Sequence, residues 1–136
     1  MTIAIDASLT LAWLFEDEQT ASILAIIDRV SKEGAIAPLI WRYEVANGLQ
    51  MAIKRKRIDT KYRAGCFEKL RSLPIVVDFD GVDEIWNVTI ALADLHSLTV
   101  YDAAYLELAQ RMRVPLATLD DALARACKAS AVTLAL

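Results

Sequence analysis

Four acidic residues of this sequence, Asp6, Glu44, Asp102 and Asp120, lie at or near the ends of separate strand-like or helix-like segments. Carboxylate oxygens are hard ligands that suit Mg²⁺ or Mn²⁺, whereas zinc in proteins is usually bound by His or Cys. Clustered carboxylates repel one another and stay partly protonated unless a cation lies between them. If the fold brings these acids together, they form a divalent-metal site able to activate water for attack on a phosphate.

Asp102 is the most informative of the four because of the helix face that it occupies. Residues 101–112 have helical spacing, and at about 100° per residue Asp102 falls above Leu106 and Ala109. That is the face that a globular helix buries. A carboxylate there is costly unless a cation or hydrogen-bond donors meet it. Asp102 is therefore predicted either to cap the helix, with Thr99 as a rival cap, or to share a cation with other acids.

The other three acids also have purely structural interpretations. Asp6 is a possible N-cap for the helix that begins near Ser8, and Asp120 for the helix that follows it. Glu44 lies on the shoulder of its helix, where pairing with Lys or Arg would account for it. For each acid alone, both the structural and the chemical interpretation stay open.

Alternating short strands and helices predict the scaffold that must position these acids: an α/β fold with a mostly parallel sheet of four to five short strands flanked by helices. In such sheets functional residues gather beyond the carboxyl ends of the strands. Asp6 and Asp120 each follow a predicted strand directly. Strands are predicted at 2–5, 35–37, 74–77, 114–118 and 131–134. Helices are predicted at 9–15, 19–32, 40–57, 60–72, 82–96, 101–112 and 120–128.

Composition restricts the class of protein. With 136 residues, 56% of them hydrophobic, the chain is expected to fold as one domain with its own core. Charges interrupt every apolar run before the roughly 18 residues that a membrane helix needs, and the N-terminus lacks a signal-peptide pattern. A cytoplasmic protein without membrane contact is expected.

Cys66 and Cys127 fit no metal or disulfide motif and are predicted to be reduced core thiols.

The charge pattern argues against a chain that holds nucleic acid through bulk positive charge, since the net charge is −3. One basic run, Lys54–Arg57, is long enough to matter locally. It is interpreted first as the solvated end of a helix, with its cations favourable at the C-terminal dipole. Contact with an RNA backbone is the alternative.

The segments that carry the four acids resemble, in the same order, the motifs of PIN-domain nucleases. The resemblance covers essentially the whole chain, residues 1–136, as a single PIN domain with a three-layer sandwich. The length and the compact N-terminal start are similar to those of VapC-type toxins. The matching segments are IAIDAS (3–8), WRYEVAN (41–47), LTVYDAAYLELA (98–109) and LATLD (116–120).

This resemblance implies a function and a site. It implies an Mg²⁺- or Mn²⁺-dependent endoribonuclease that leaves a 5′-phosphate and a 3′-hydroxyl. The implied metal-binding and catalytic quartet is Asp6, Glu44, Asp102 and Asp120. The implied supporting residues are Ser8 and Thr118 beside Asp6, Asn47 one turn after Glu44, and Asp121 next to Asp120.

The resemblance also implies partners: an RNA substrate, a VapB-type antitoxin, a homodimer and a toxin–antitoxin hetero-oligomer. The apolar residues Trp13, Leu14 and Phe15 are interface candidates.

Two other function classes are considered. A dehalogenase-like phosphatase would need Asp-x-Asp after the first strand, where this chain has Asp6-Ala-Ser8, and a phosphotransfer receiver would need a strand-end Lys. A catalytically silent interaction module is the remaining alternative.

Overall fold

The first strand, β1 (Ile3–Ile5), lies inside the sheet because all of its side chains are apolar and buried. The computed structural model describes residues 2–136. β1 pairs in parallel with β2 (Ala35–Pro38) and with β4 (Leu116–Ala117). β3 (Ile75–Asp78) pairs in parallel with β2, so the strand order is β3-β2-β1-β4. The predicted α/β fold with a parallel sheet is confirmed.

Helices connect the strands, as parallel pairing requires. Their start signals are local: Asp6, Thr20, Asp59, Thr99 and Asp120 each accept a hydrogen bond from a backbone N–H in the first turn of the helix that follows. The α-helices of residues 2–136 are α1 (Ala7–Leu14), α2 (Ala21–Glu33), α3 (Leu39–Lys54), α4 (Thr60–Ser72), α5 (Ile90–His96), α6 (Val100–Met112) and α7 (Asp121–Ala129).

The predicted helix at 82–96 is wrong in its first half. The chain forms a 3₁₀ turn at Asp80–Glu84 and a π turn at Ile85–Thr89, and regular α-helix begins only at Ile90. The Asp78 carboxylate accepts a hydrogen bond from the Gly81 amide at 3.0 Å, which starts the tighter turn. A π turn has no sequence signature that periodicity can detect.

The predicted strands at 114–118 and 131–134 are also too long. The Val114 amide donates to the Ala109 carbonyl at 3.1 Å, and Pro115 has no backbone N–H to donate, so the first residue of β4 that pairs with β1 is Leu116. Near the C-terminus, Ala131 has a positive φ of 60°. The segment after it forms a single parallel bridge between Leu134 and Leu116.

Helix α6 carries much of the core, and one of its buried side chains is a carboxylate. Glu107 is 4% exposed, and its carboxylate accepts from the Arg111 guanidinium, with Nε to Oε1 at 2.8 Å. The same guanidinium contacts Asp78, with Nη2 to Oδ2 at 2.6 Å. The long Arg111 side chain, bound to two acids, thus supplies the hydrogen bonds that water would otherwise donate to Glu107. Residue spacing alone does not reveal this contact.

The predicted interface at Trp13, Leu14 and Phe15 is wrong, because Leu14 and Phe15 lie in the core and Trp13 packs against it. Exposed apolar side chains occur instead along residues 79–95, where Trp86 is 94% exposed and Leu95 is 74% exposed. Cys66 and Cys127 are buried free thiols, as predicted. No helix within residues 2–136 is long and apolar enough to span a bilayer.

Candidate active site

Asp6 lies at the carboxyl end of β1, where the chain turns into α1. It is 3% exposed. Its Oδ1 accepts the Leu9 amide at 2.9 Å, which caps α1, and the Ser8 hydroxyl contacts both carboxylate oxygens at 2.7 and 2.8 Å. The Thr118 hydroxyl donates to the same carboxylate. Asp6 is therefore an N-cap and a buried acid at once.

Burial raises the pKa of Asp6 from 3.8 to about 6. The Leu9 amide and the hydroxyls of Thr118 and Ser8 lower this pKa, and the negative charge of Asp102 raises it. These donors stabilise the carboxylate, but they do not offset the cost of removing it from water. The charge is thus only partly compensated by the chain itself.

Asp120 lies beyond β4, beside the Asp6 turn. Its Oδ1 accepts the Leu123 amide at 2.7 Å, which caps α7, and its own amide donates to the Thr118 hydroxyl at 3.0 Å. The Leu119 amide donates to the Ser8 hydroxyl at 3.0 Å. These bonds join the turn after β4 to the turn after β1, so the ends of two paired strands bring Asp6 and Asp120 to one edge of the sheet.

Asp102 lies in the first turn of α6, and its carboxylate is not the cap of that helix. The Thr99 hydroxyl accepts the Asp102 amide at 3.1 Å and fills the capping role. Burial raises the pKa of Asp102, and the negative charge of Asp120 raises it further. Of the two interpretations of Asp102, the structure therefore removes the capping one.

Glu44 lies on α3 and faces α6. Its Oε1 accepts the Tyr105 hydroxyl at 2.6 Å. Burial raises the pKa of Glu44, and the charge of Asp102 raises it too, while the Tyr105 bond lowers it. The role predicted for Asn47 is not seen, because its side chain is exposed and no hydrogen bond within residues 2–136 joins it to Glu44. Tyr105 holds the carboxylate instead.

The four acids are thus electrostatically linked through Asp102. The charge of Asp102 acts on Asp6 and Glu44, and Asp120 acts on Asp102. In the described part of the chain, every ion pair within 4.0 Å joins other residues, so no Lys or Arg neutralises this cluster. All-oxygen donors with surplus negative charge fit a hard divalent cation.

The side chains of the four acids are not arranged as a complete metal-binding site in this structure. Among residues 2–136, no three His, Cys, Asp or Glu side chains are close enough together to hold a metal ion. Metal binding would therefore have to draw the carboxylates closer, and the charge of the cation would offset their mutual repulsion. The assignment of the quartet as metal ligands stays a prediction.

Two other predicted features occupy peripheral positions. Asp121 is exposed in the first turn of α7, where its charge favours the helix dipole. In the basic run, Arg57 binds Asp17 at 2.7 Å and Glu18 at 2.6 Å, while residues 54–56 are exposed. Neither feature contacts the four acids through a hydrogen bond or ion pair in the described structure.

Sequence reasoning missed two residues that build the site. Tyr105 is one helical turn after Asp102 on the same face of α6, and this spacing is the signal that could have identified it. Thr10 is the other: its hydroxyl donates to the Asp6 carbonyl at 2.7 Å and accepts the Trp41 indole N–H at 2.9 Å. Trp41, which is 6% exposed, is therefore a buried anchor between α3 and the Asp6 turn.

Comparisons with known proteins agree with this architecture. The family model described as "PIN domain" matches residues 3–129. Ribonuclease VapC3 of Pyrobaculum aerophilum is 28% identical over 124 residues, covering 91% of this chain and 93% of the relative. The crystal structure of PAE2754 from Pyrobaculum aerophilum matches with a TM-score of 0.67 at 26% identity, over 93% of this chain and 87% of that one. FitAcB from Neisseria gonorrhoeae matches in fold, with a TM-score of 0.67 at 17% identity over 98% and 96% of the two chains.

Proposed function

Because this chain belongs to the PIN-domain family, we propose that it is a metal-dependent endoribonuclease and the toxin of a VapBC-type toxin–antitoxin pair. The likeness to Ribonuclease VapC3 supports ribonuclease chemistry at the level of the family. The observation that carries the proposal is the group of four carboxylates from four separate elements: the charge of Asp102 raises the pKa of Asp6 and of Glu44, the charge of Asp120 raises that of Asp102, and within residues 2–136 no ion pair links any of the four to a Lys or Arg.

Asp6, Glu44, Asp102 and Asp120 would hold Mg²⁺ or Mn²⁺. When bound, the ion would supply an activated water and neutralise charge on the scissile phosphate. The chain's own part is to keep these ligands ionised and aligned. Ser8 and Thr118 do this for Asp6, since their hydroxyl donors favour its charged form. The turns that carry Asp6 and Asp120 are joined through Ser8 and Thr118, which limits their relative movement.

The proposed reaction is hydrolysis of an RNA phosphodiester. The water oxygen bonds to phosphorus, the bond between phosphorus and the 3′-oxygen breaks, and that oxygen takes up a proton. The products carry a 5′-phosphate and a 3′-hydroxyl. The exposed cations at 54–56 are candidates for contact with the RNA backbone, although their position at the end of α3 accounts for them without RNA.

The decisive experiment compares the purified protein with Asp6→Asn and Asp102→Asn variants on structured and single-stranded RNA. We expect cleavage with Mg²⁺ or Mn²⁺, none with EDTA, and a rate loss of at least about 100-fold in each variant. Sequencing RNA ends from cells that express the wild-type or Asp6→Asn chain identifies the cellular substrate. Matching end profiles for the two chains would remove the basis for a nuclease.

Two other classes give different outcomes. A phosphatase or receiver domain would become phosphorylated by a small phosphodonor such as acetyl phosphate, and we expect no such product here. The second acid of the dehalogenase pattern is absent, and Ser8 at that position is bound to Asp6. A catalytically silent module would bind its partner without cutting RNA, with or without the four acids.

The proposed partners are a VapB-type antitoxin and a second copy of this chain, acting on RNA in the cytoplasm. The exposed apolar side chains at 79–95 support a protein interface there. Light scattering with size-exclusion chromatography measures the oligomeric state. Co-expression with the antitoxin should relieve growth arrest caused by the chain, and a Trp86→Asp variant that stays dimeric would exclude the 79–95 surface from the homodimer.

A further inference from the structure

Tyr105 joins two of the helices that carry the acids. It lies on α6, one turn after Asp102, and it is 1% exposed. Its hydroxyl donates to Oε1 of Glu44 on α3 at 2.6 Å. The bond thus connects helices that approach each other only through the folded structure, 61 positions apart in the chain.

The phenol of Tyr105 lies close enough to two of the four acids, Glu44 and Asp6, to feel their charges. Burial raises the pKa of the Tyr105 hydroxyl, the hydrogen bond and charge of Glu44 and the charge of Asp6 raise it further, and the backbone amide of Ala7 lowers it. These groups belong to α3, to the end of β1 and to α1. A hydroxyl buried at this junction is costly without an acceptor, so its bond to Glu44 is the arrangement that the packing requires.

Glu44 depends on this contact for its orientation. Within residues 2–136, the Tyr105 hydroxyl is the only hydrogen-bond partner of its carboxylate, and Glu44 takes part in no ion pair there. The bond engages Oε1 and leaves Oε2 without a hydrogen bond in the same residues. A long Glu side chain held at one oxygen has far fewer conformations than a free one.

We infer that Tyr105 is a positioning residue of the proposed metal site: its hydroxyl fixes Oε1 of Glu44 and presents Oε2 to the divalent cation. This inference rests on the proposed function. Groups that hydrogen-bond to metal ligands typically change metal affinity by about 10–100-fold when removed. A tyrosine that served packing alone would have no such effect, because phenylalanine fills nearly the same volume.

The test is Mn²⁺ binding to metal-free protein, measured by electron paramagnetic resonance and by calorimetry, without RNA. We expect Tyr105→Phe to weaken Mn²⁺ binding by about 10–100-fold. Tyr62→Phe is the matched control, since it also removes a hydroxyl bound inside the fold, to the Leu14 carbonyl, away from the acids. It should lose thermal stability and keep its Mn²⁺ affinity within about twofold of wild type.

A double-mutant cycle locates the effect. Once Glu44→Ala has removed the acceptor, adding Tyr105→Phe should weaken Mn²⁺ binding no further. Equal affinities of wild type and Tyr105→Phe would overturn the inference and leave the proposed nuclease intact. Wild-type protein that binds Mn²⁺ but cuts no RNA would overturn the nuclease, while a weakened Tyr105→Phe would still support the positioning role. Wild-type protein that binds no Mn²⁺ would overturn both.

Discussion

The Thr118 hydroxyl donates a hydrogen bond to the buried Asp6 carboxylate, although the two residues lie 112 positions apart in the chain. The same hydroxyl accepts the Asp120 amide at 3.0 Å. One small side chain at the end of β4 therefore sets the distance between an acid that follows β1 and an acid that follows β4. Both the stability of this edge and the alignment of the two acids depend on it.

Replacing Thr118 with Val keeps the side-chain shape and removes the hydroxyl. Because hydrogen bonds to charged groups contribute about 1.5–3 kcal/mol, we expect a loss of that size in the free energy of unfolding at pH 7. Urea denaturation measures it. Thr133→Val is the control, because Thr133 is exposed and should change stability by less than about 0.5 kcal/mol. Equal losses in both variants would show that the Asp6 contact has no special weight.

The raised pKa of Asp6 predicts how metal-free protein responds to pH. The ordinary pKa of an Asp side chain is 3.8, and in the fold that of Asp6 is about 6, so between these values the folded state binds more protons than the unfolded state. Stability should then fall as pH rises from about 4 to about 6, by at most about 3 kcal/mol from this group. The raised pKa values of Glu44 and Asp102 act in the same direction.

Urea unfolding in EDTA at a series of pH values tests this. Asp6→Asn should be more stable than wild type at pH 7 and show a flatter dependence between pH 4 and 7, because the group that titrates is gone. Added Mg²⁺ should stabilise wild type at pH 7 and leave Asp6→Asn nearly unchanged. Equal pH dependence of wild type and Asp6→Asn between pH 4 and 7 would contradict the burial of an uncompensated Asp6.

Substitutions of Asp120 should distinguish its helix-capping role from its proposed role in RNA cleavage. Its carboxylate accepts the Leu123 amide at 2.7 Å, and Asn caps helices about as well as Asp. We expect Asp120→Asn to lose RNA cleavage and keep its stability, whereas Asp120→Ala loses cleavage and about 1 kcal/mol of unfolding free energy. Asp102→Ala should lose cleavage alone, because Thr99 caps α6. Parallel rate and thermal-unfolding measurements distinguish the three variants.

Arg111 neutralises two buried carboxylates, and its removal leaves both without a cation. The side chains of Glu107 and Asp78 are 5% and 7% exposed. We expect Arg111→Met to lower the free energy of unfolding by about 3–5 kcal/mol, the usual cost of leaving a buried charge unpaired. Arg29→Met is a matched control, because Arg29 also pairs four residues along a helix, with Glu33, whose side chain is 41% exposed. That change should cost less than about 1 kcal/mol.

The strands and most helices could be predicted because their signals are local. The apolar run at Ile3–Ile5 and the caps Thr20 and Asp59 depend only on neighbours in sequence. The π turn at Ile85–Thr89 has no periodic signature, and β4 is short because the Val114 amide bonds to the Ala109 carbonyl and Pro115 has no backbone N–H, so spacing revealed neither. The burial of Glu107 likewise follows from Arg111 and from Asp78 on another element.

The candidate site also has a part that the sequence predicts and a part that it does not. The positions of Asp6 and Asp120 after predicted strands predict that these two acids meet at one edge of the sheet, because the carboxyl ends of parallel strands lie along the same edge. Which groups hold Glu44 is decided by the packing of α3 against α6, and there Tyr105 takes the place predicted for Asn47. Side-chain partners across a helix interface are not encoded in any single segment.

Helix capping divides the four acids into two kinds. Asp6 and Asp120 begin α1 and α7, whereas Asp102 and Glu44 begin no helix. A descendant of this fold that loses the proposed RNA cleavage but keeps its shape is therefore free to lose Asp102 first, whereas Glu44 still accepts the buried Tyr105 hydroxyl. In such sequences we expect Asp or Asn to persist at positions 6 and 120 after the proposed activity is lost, so that part of the motif alone does not identify an active nuclease.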